Sequence, residues 1–136
     1  MSNIKAQMSN KIQSPKPKYD LGERTAEFGE QVIILTKKLE AHVVNRPLIS
    51  QLVRASTSIG ANYMEADGAE SKKDFQHKIA LCKKEAKETM HWLRMLAVAN
   101  SVIRAECRKM WQEAHELALI FSSILRGSVG KKSLDF

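Results

Sequence analysis

Three prolines, six glycines and two cysteines in 136 residues give this chain few ways to break a helix or staple a loop. Pro15 and Pro17 fall near the N-terminus and Pro47 stands alone in the interior. Everything between Asp20 and Gly127 is therefore open to helix, interrupted at a few sites. Cys82 and Cys107 are too few for a disulfide framework, and both fall on apolar stripes, where they read as buried, reduced thiols. No apolar run approaches the ~18 residues of a membrane span. The opening MSNIKAQMSNKIQSPKPKYD lacks the apolar block of a signal peptide, so the expected compartment is the cytoplasm. The glycines are scattered, and neither a GxxxxGK[ST] loop nor a nucleophile elbow occurs, so nothing announces phosphate-loop or acyl-transfer chemistry and no small-molecule substrate is indicated.

What the chain does contain is ordinary for a folded domain, with 43% hydrophobic and 27% charged residues. Its length suits a single domain with a core of useful size. The formal net charge is +7, but four lysines and no acid lie in residues 1–19. Arg126, Lys131 and Lys132 oppose only Asp135 at the other end, which leaves about +1 on the body between. A nearly neutral body with basic tails weakens any argument for nucleic acid drawn from the overall charge. The expected organisation is a flexible basic tail over 1–19, a helical bundle over 20–127 and a flexible tail over 128–136.

Within the body the apolar residues recur at helical spacing. The first stripe is Phe28, Val32, Leu35 and Leu39, opened by Asp20 with Glu23 three residues on and ended by Asn45-Arg46-Pro47. The second is Leu48, Leu52, Ala55, Ile59, Asn62 and Ala66, broken at Asp67-Gly68. Ser71, with Asp74 at the third position, caps a third helix carrying Phe75, Ile79, Cys82, Ala86, Thr89 and Leu93. After a break at Asn100-Ser101 a fourth carries Ile103, Cys107, Met110, Ala114, Leu117, Phe121 and Ile124, with Gly127 placed to close it. Four such helices joined by short turns predict an all-α, antiparallel up-down-up-down four-helix bundle.

Projected at 100° per residue, the third helix has two further lines. Lys73, His77, Lys84, Lys87, His91 and Arg94 lie opposite its core stripe. Between them run Leu81, Glu85, Glu88, Trp92 and Met95, an outward seam with more apolar surface than one partner face needs. The second helix has a matching flank of Arg54, Ser58, Ala61 and Glu65, where Arg54 is placed to meet Glu85 or Glu88.

Two blocks in this region are distinctive: Arg54-x-x-x-Ser58-Ile59-x-Ala61-Asn62-x-x-Glu65, then Ala80-x-x-Lys83-Lys84-Glu85-Ala86-x-Glu88-Thr89-x-x-Trp92-Leu93-x-x-Leu96. Together they resemble the bacterial four-helix-bundle family known as 23S rRNA intervening-sequence proteins. The resemblance implies bundles assembled into ring-shaped homopentamers, and hence a second apolar face on each subunit. Leu81, Trp92 and Met95 are the expected oligomer contact. Arg54, Asn62, Glu65, Glu85 and Glu88 match family positions of the same residue type and are expected to form a structural or assembly network. Such proteins are often encoded inside rRNA genes, and accessory subunits of some reverse transcriptases are similar rings. The implied role is a non-enzymatic scaffold engaging structured RNA, with Lys73, Lys84, Lys87 and Arg94 as the contact. The rival is an adaptor for an RNA-handling protein that makes no RNA contact itself.

A metal or redox bundle is the remaining alternative. Glu88-x-x-His91 has the spacing of ferritin-like di-iron motifs, but those need two copies, and His42, His77 and His115 have no Glu three residues upstream. His91 also projects outward, and the resembling family commonly has an aromatic residue there. No metal, cofactor or catalytic group is expected. Against RNA stands the absence of aromatic residues interleaved with the lysines for base stacking.

Overall fold

Asp20 opens the first helix as its spacing predicts: its Oδ1 accepts the Glu23 backbone N–H at 3.1 Å. The computed structural model describes residues 20–134, with side chains as far as Gly127. Among them are four α-helices and no strand: α1 (Leu21–Thr36), α2 (Asn45–Asp67), α3 (Lys72–Ala99) and α4 (Arg104–Leu134), the last entered through a 3-10 turn at Ser101–Ile103. Ser71 caps α3, its hydroxyl accepting from the Asp74 N–H at 3.0 Å. Residues 1–19, read as a basic tail, lie outside the described residues.

Two boundaries differ from the expectation. Helix α1 stops at Thr36, well before Asn45, because the chain tightens there. The Thr36 hydroxyl donates to the Ile33 carbonyl, and Lys38 and Leu39 donate to carbonyls three residues back instead of four. The start of α2 is then served from outside the helix, with His42 Nδ1 accepting from the Val44 and Asn45 N–H groups at 3.3 and 3.2 Å. At the other end α4 does not close at Gly127. It runs through that glycine to Leu134, and a Cβ there would meet nothing within 4 Å. Gly127 lowers helix propensity by about 1 kcal/mol without forbidding helix.

The apolar stripes converge on one core, with Phe28, Val32 and Leu35 from α1, Leu52 and Ile59 from α2, Ile79, Leu93 and Leu96 from α3, and Leu117 and Phe121 from α4. Burial of each such side chain contributes roughly 1.5–3 kcal/mol. Asn62, although on the second stripe, is only half-buried and donates Nδ2 to the Ser58 carbonyl at 2.9 Å.

Helices α1 and α2 approach closely where glycine leaves room. A Cβ added at Gly60 would lie 3.4 Å from Thr25 Oγ1, and one at Gly29 would lie 3.5 Å from Thr57 Cγ2. Rising residue numbers on α1 thus face falling numbers on α2. The same holds between α2 and α3, where Asn45 meets Asn100, Arg54 meets Glu85 and Glu65 meets Lys78. Consecutive helices therefore carry most of the packing, while α1 and α4 meet along a narrower contact. Arg24 bridges that contact. Its Nε and Nη2 donate to Glu113 at 2.8 and 2.7 Å, and Nη2 also reaches Glu116 at 2.9 Å. The Glu113 hydrogen bond, with help from Glu116, holds this guanidinium above its ordinary pKa against the opposing effect of burial.

Candidate functional site

Helix α3 is packed on both sides, by α2 and by α4, so each of its faces meets a different environment. On the α2 side Glu85 is buried and Glu88 half-buried. Arg54 reaches across from α2 to both: Nη1 lies 3.1 Å from Glu85 Oε2, and Nη2 pairs with Glu88 Oε2. Gln51 Oε1 accepts from Arg54 Nε at 3.0 Å and orients the guanidinium from one turn back. Trp92 Nε1 donates to Glu88 Oε2 at 2.9 Å. One cation thus answers two carboxylates, and an indole N–H supplies a further donor.

The five polar residues expected as one network are therefore divided. Arg54, Glu85 and Glu88 come together, while Asn62 satisfies itself within α2. Glu65 pairs elsewhere, accepting from Lys78 Nζ at 2.7 Å, a bond that raises the Lys78 pKa. Gln51 belongs to the cluster and was missed, and Trp92, expected as an oligomer contact on the same line of α3, joins it through Glu88; their spacings to Arg54 (three) and Glu88 (four) are both those of helical neighbours. Leu81, Trp92 and Met95 are each half-buried in the single chain, and Trp92 packs against the core. Glu85 and Glu88, on the same line of α3, meet Arg54 of α2.

A reciprocal amide pair, also missed, ties the start of α2 to the end of α3. Buried Asn45 donates Nδ2 to Asn100 Oδ1 at 3.0 Å, and Asn100 returns a bond to Asn45 Oδ1 at 2.7 Å. Asn45 Nδ2 donates to the Glu40 carbonyl as well. The sequence marked both asparagines as breaks and gave no sign that residues 55 positions apart would pair.

On the outer side of α3, Lys73, Lys84, Lys87 and Arg94 are all exposed, and none is ion-paired among the described residues. At 1.5 Å per residue they span ~32 Å of helix. At its far end this line reaches a groove between α3 and α4, lined in part by Leu93, Arg94, Arg104, Cys107, Arg108 and Trp111. Trp111 stacks on His115 with ring centroids 5.2 Å apart and planes 25° from parallel.

The thiols are poorly suited to chemistry. Burial pushes Cys82 up to about 12 and Cys107 up to about 11, the latter assisted by Glu106. Both are protonated near neutrality, and only the thiolate attacks. Cys82 Sγ instead donates to the Ile59 carbonyl at 3.5 Å. Glu88, the residue of the metal-like motif, is engaged by Arg54 and Trp92, while His91 is exposed and stands edge-on to Trp92. Among the described residues no three His, Cys, Asp or Glu side chains gather as metal ligands, and no helix is long and apolar enough to cross a membrane.

Comparison with known proteins places this geometry in context. Residues 18–123 match the family model described as 23S rRNA-intervening sequence protein. No curated protein matches the chain. Among solved structures it is similar to a crystal structure, at 1.70 Å resolution, of a protein with unknown function from the S23 ribosomal protein family of Bacteroides thetaiotaomicron VPI-5482. The two are 30% identical with a TM-score of 0.69, over 77% of this chain and 97% of that one.

Proposed function

We propose, from the premise that this chain belongs to the 23S rRNA-intervening sequence protein family, that it is a non-enzymatic scaffold engaging structured RNA. Its four helices form an up-down-up-down bundle, and copies of the bundle associate into a ring, for which a pentamer is the expected size. The observation that carries the RNA reading is the exposed, unneutralised line of Lys73, Lys84, Lys87 and Arg94 on one side of α3. Elsewhere in the described residues Arg24, Arg54 and Lys78 are taken up by carboxylates. Cations left in water along a rigid rod are suited to successive phosphates, and repetition around a ring multiplies weak contacts. Association is supported by apolar side chains that a lone chain leaves in water: Ile34 is 51% exposed and Val102 93%.

Native mass spectrometry of protein purified without nuclease tests both parts. The expected species is a multiple of the chain mass carrying added nucleic acid. Its RNA affinity should fall steeply with salt and weaken in Lys84→Glu/Lys87→Glu. A bare assembly whose RNA affinity ignores both salt and these substitutions would transfer the role to a protein adaptor. A bare monomer would remove the scaffold reading altogether.

A further inference from the structure

Helix α4 sorts its charges by side. Glu113 and Glu116 meet Arg24 on α1, whereas Arg104, Arg108 and Trp111, at steps of four and three, line the groove against α3. Leu93 and Cys107 are buried and form an apolar floor. Arg94, Arg104 and Arg108 are exposed at its rim, and no carboxylate is among the residues that line it. The half-buried Trp111, continued by the stacked ring of His115, makes one wall aromatic.

We propose that this groove holds an unpaired nucleotide of single-stranded or looped RNA. Its base lies against Trp111 and the apolar floor, and its flanking phosphates lie on Arg94, Arg104 and Arg108. The inference rests on the RNA-binding reading and gives it a specificity that a line of lysines lacks. Three arginines in a groove lined by no carboxylate select a polyanion, while an indole above an apolar floor selects a flat aromatic face. A duplex keeps its base faces stacked on one another, so only an unpaired nucleotide offers both features at once. Continuity favours the same occupant. Arg94 belongs both to the rim of the groove and to the exposed α3 line, so a backbone tracking Lys84 and Lys87 is led into the groove, whose arginine lies seven residues, or ~10 Å of helix, beyond Lys87. The aromatic surface that the α3 sequence lacks is thus supplied by the neighbouring helix.

The test uses the full-length protein with Trp92→Phe, which leaves Trp111 as the one indole, after native mass and RNA affinity have been matched to those of the unsubstituted assembly. Oligouridylate should quench its emission, and a blunt RNA duplex of equal length should not. Trp111→Leu, and separately Arg104→Glu/Arg108→Glu, should weaken oligouridylate binding at least about tenfold, with Trp111→Phe retaining most of it. Lys84→Glu/Lys87→Glu should weaken duplex and single strand alike. An unquenched indole, or single-strand affinity indifferent to the groove variants, overturns the groove assignment. If the lysine variant still weakens duplex binding in that case, the parent reading stands. No salt-sensitive binding of either RNA would overturn both. Equal quenching by oligoglutamate would assign the groove to an acidic protein. Groove variants of lower native mass would assign it to a contact between copies. Either result overturns the proposal.

Discussion

Replacing Arg54 by alanine probes the link between α2 and α3. The guanidinium is the more exposed partner, at 46%, so its own release into water costs little. The consequence falls on what it leaves behind. Glu88, 31% exposed, keeps the Trp92 N–H, whereas the Glu85 side chain, only 11% exposed, loses its cation. Surface pairs contribute about 0–1 kcal/mol, and removal of one partner from a fully buried pair costs about 3–5. Glu85 lies between these limits with its partner half in water, so we expect a loss of about 2 kcal/mol. For a chain of this length that corresponds to a fall in Tm of about 8 °C. Urea unfolding followed by circular dichroism gives the free energy, and native mass reports on association. The decisive comparison is Arg54→Ala/Glu85→Gln, in which the uncompensated charge is gone. It should recover about half of the loss, with a coupling energy of about 1 kcal/mol. A single mutant within about 0.5 kcal/mol of wild type and of unchanged native mass would refute the argument. So would a double mutant no better than the single, since the loss would then come from the packing of the arginine stem.

Two further outcomes follow from buried polar groups. Asn45→Ala leaves Asn100 without its reciprocal partner at the junction of α2 and α3 and should cost about 2–3 kcal/mol in the same urea assay; a loss below about 0.5 would show the pair to be dispensable. The two thiols should resist a disulfide reagent at pH 8 in the native protein and react fully in urea. Because their folded pKa values, about 12 and about 11, lie above that of an exposed thiol, the folded state holds more protons between roughly pH 9 and 12. Their contribution to stability is complete below about pH 9 and is lost as pH rises through that window, and a stability flat from pH 8 to 11 would contradict it.

Much of the candidate site was legible as residue type but not as partnership. The projection of α3 put Lys73, Lys84, Lys87 and Arg94 on one exposed line, and the structure leaves them there, because a helix presents its faces by local geometry alone. Arg54 was matched to Glu85 or Glu88, and it takes both. Glu65, assigned to the same set, pairs instead with Lys78, since flexible ends choose whichever charge the packed register brings near.

The sequence by itself determined the helices. Period and proline scarcity are local properties, and so are the caps at Asp20 and Ser71, which act over three residues. Where the signal was weak the outcome passed to context. Thr36 ended α1 early through its own turn, and Gly127 failed to end α4, because one glycine shifts helix propensity by only about 1 kcal/mol. What only the tertiary structure decided is every contact made across sequence. Asn45 finds Asn100, and Arg94 on α3 comes beside Arg104, Arg108 and Trp111 on α4 to make a groove that neither helix possesses alone. Helix spacing sets which residues share a face. Which face meets which depends on the packing of the whole core.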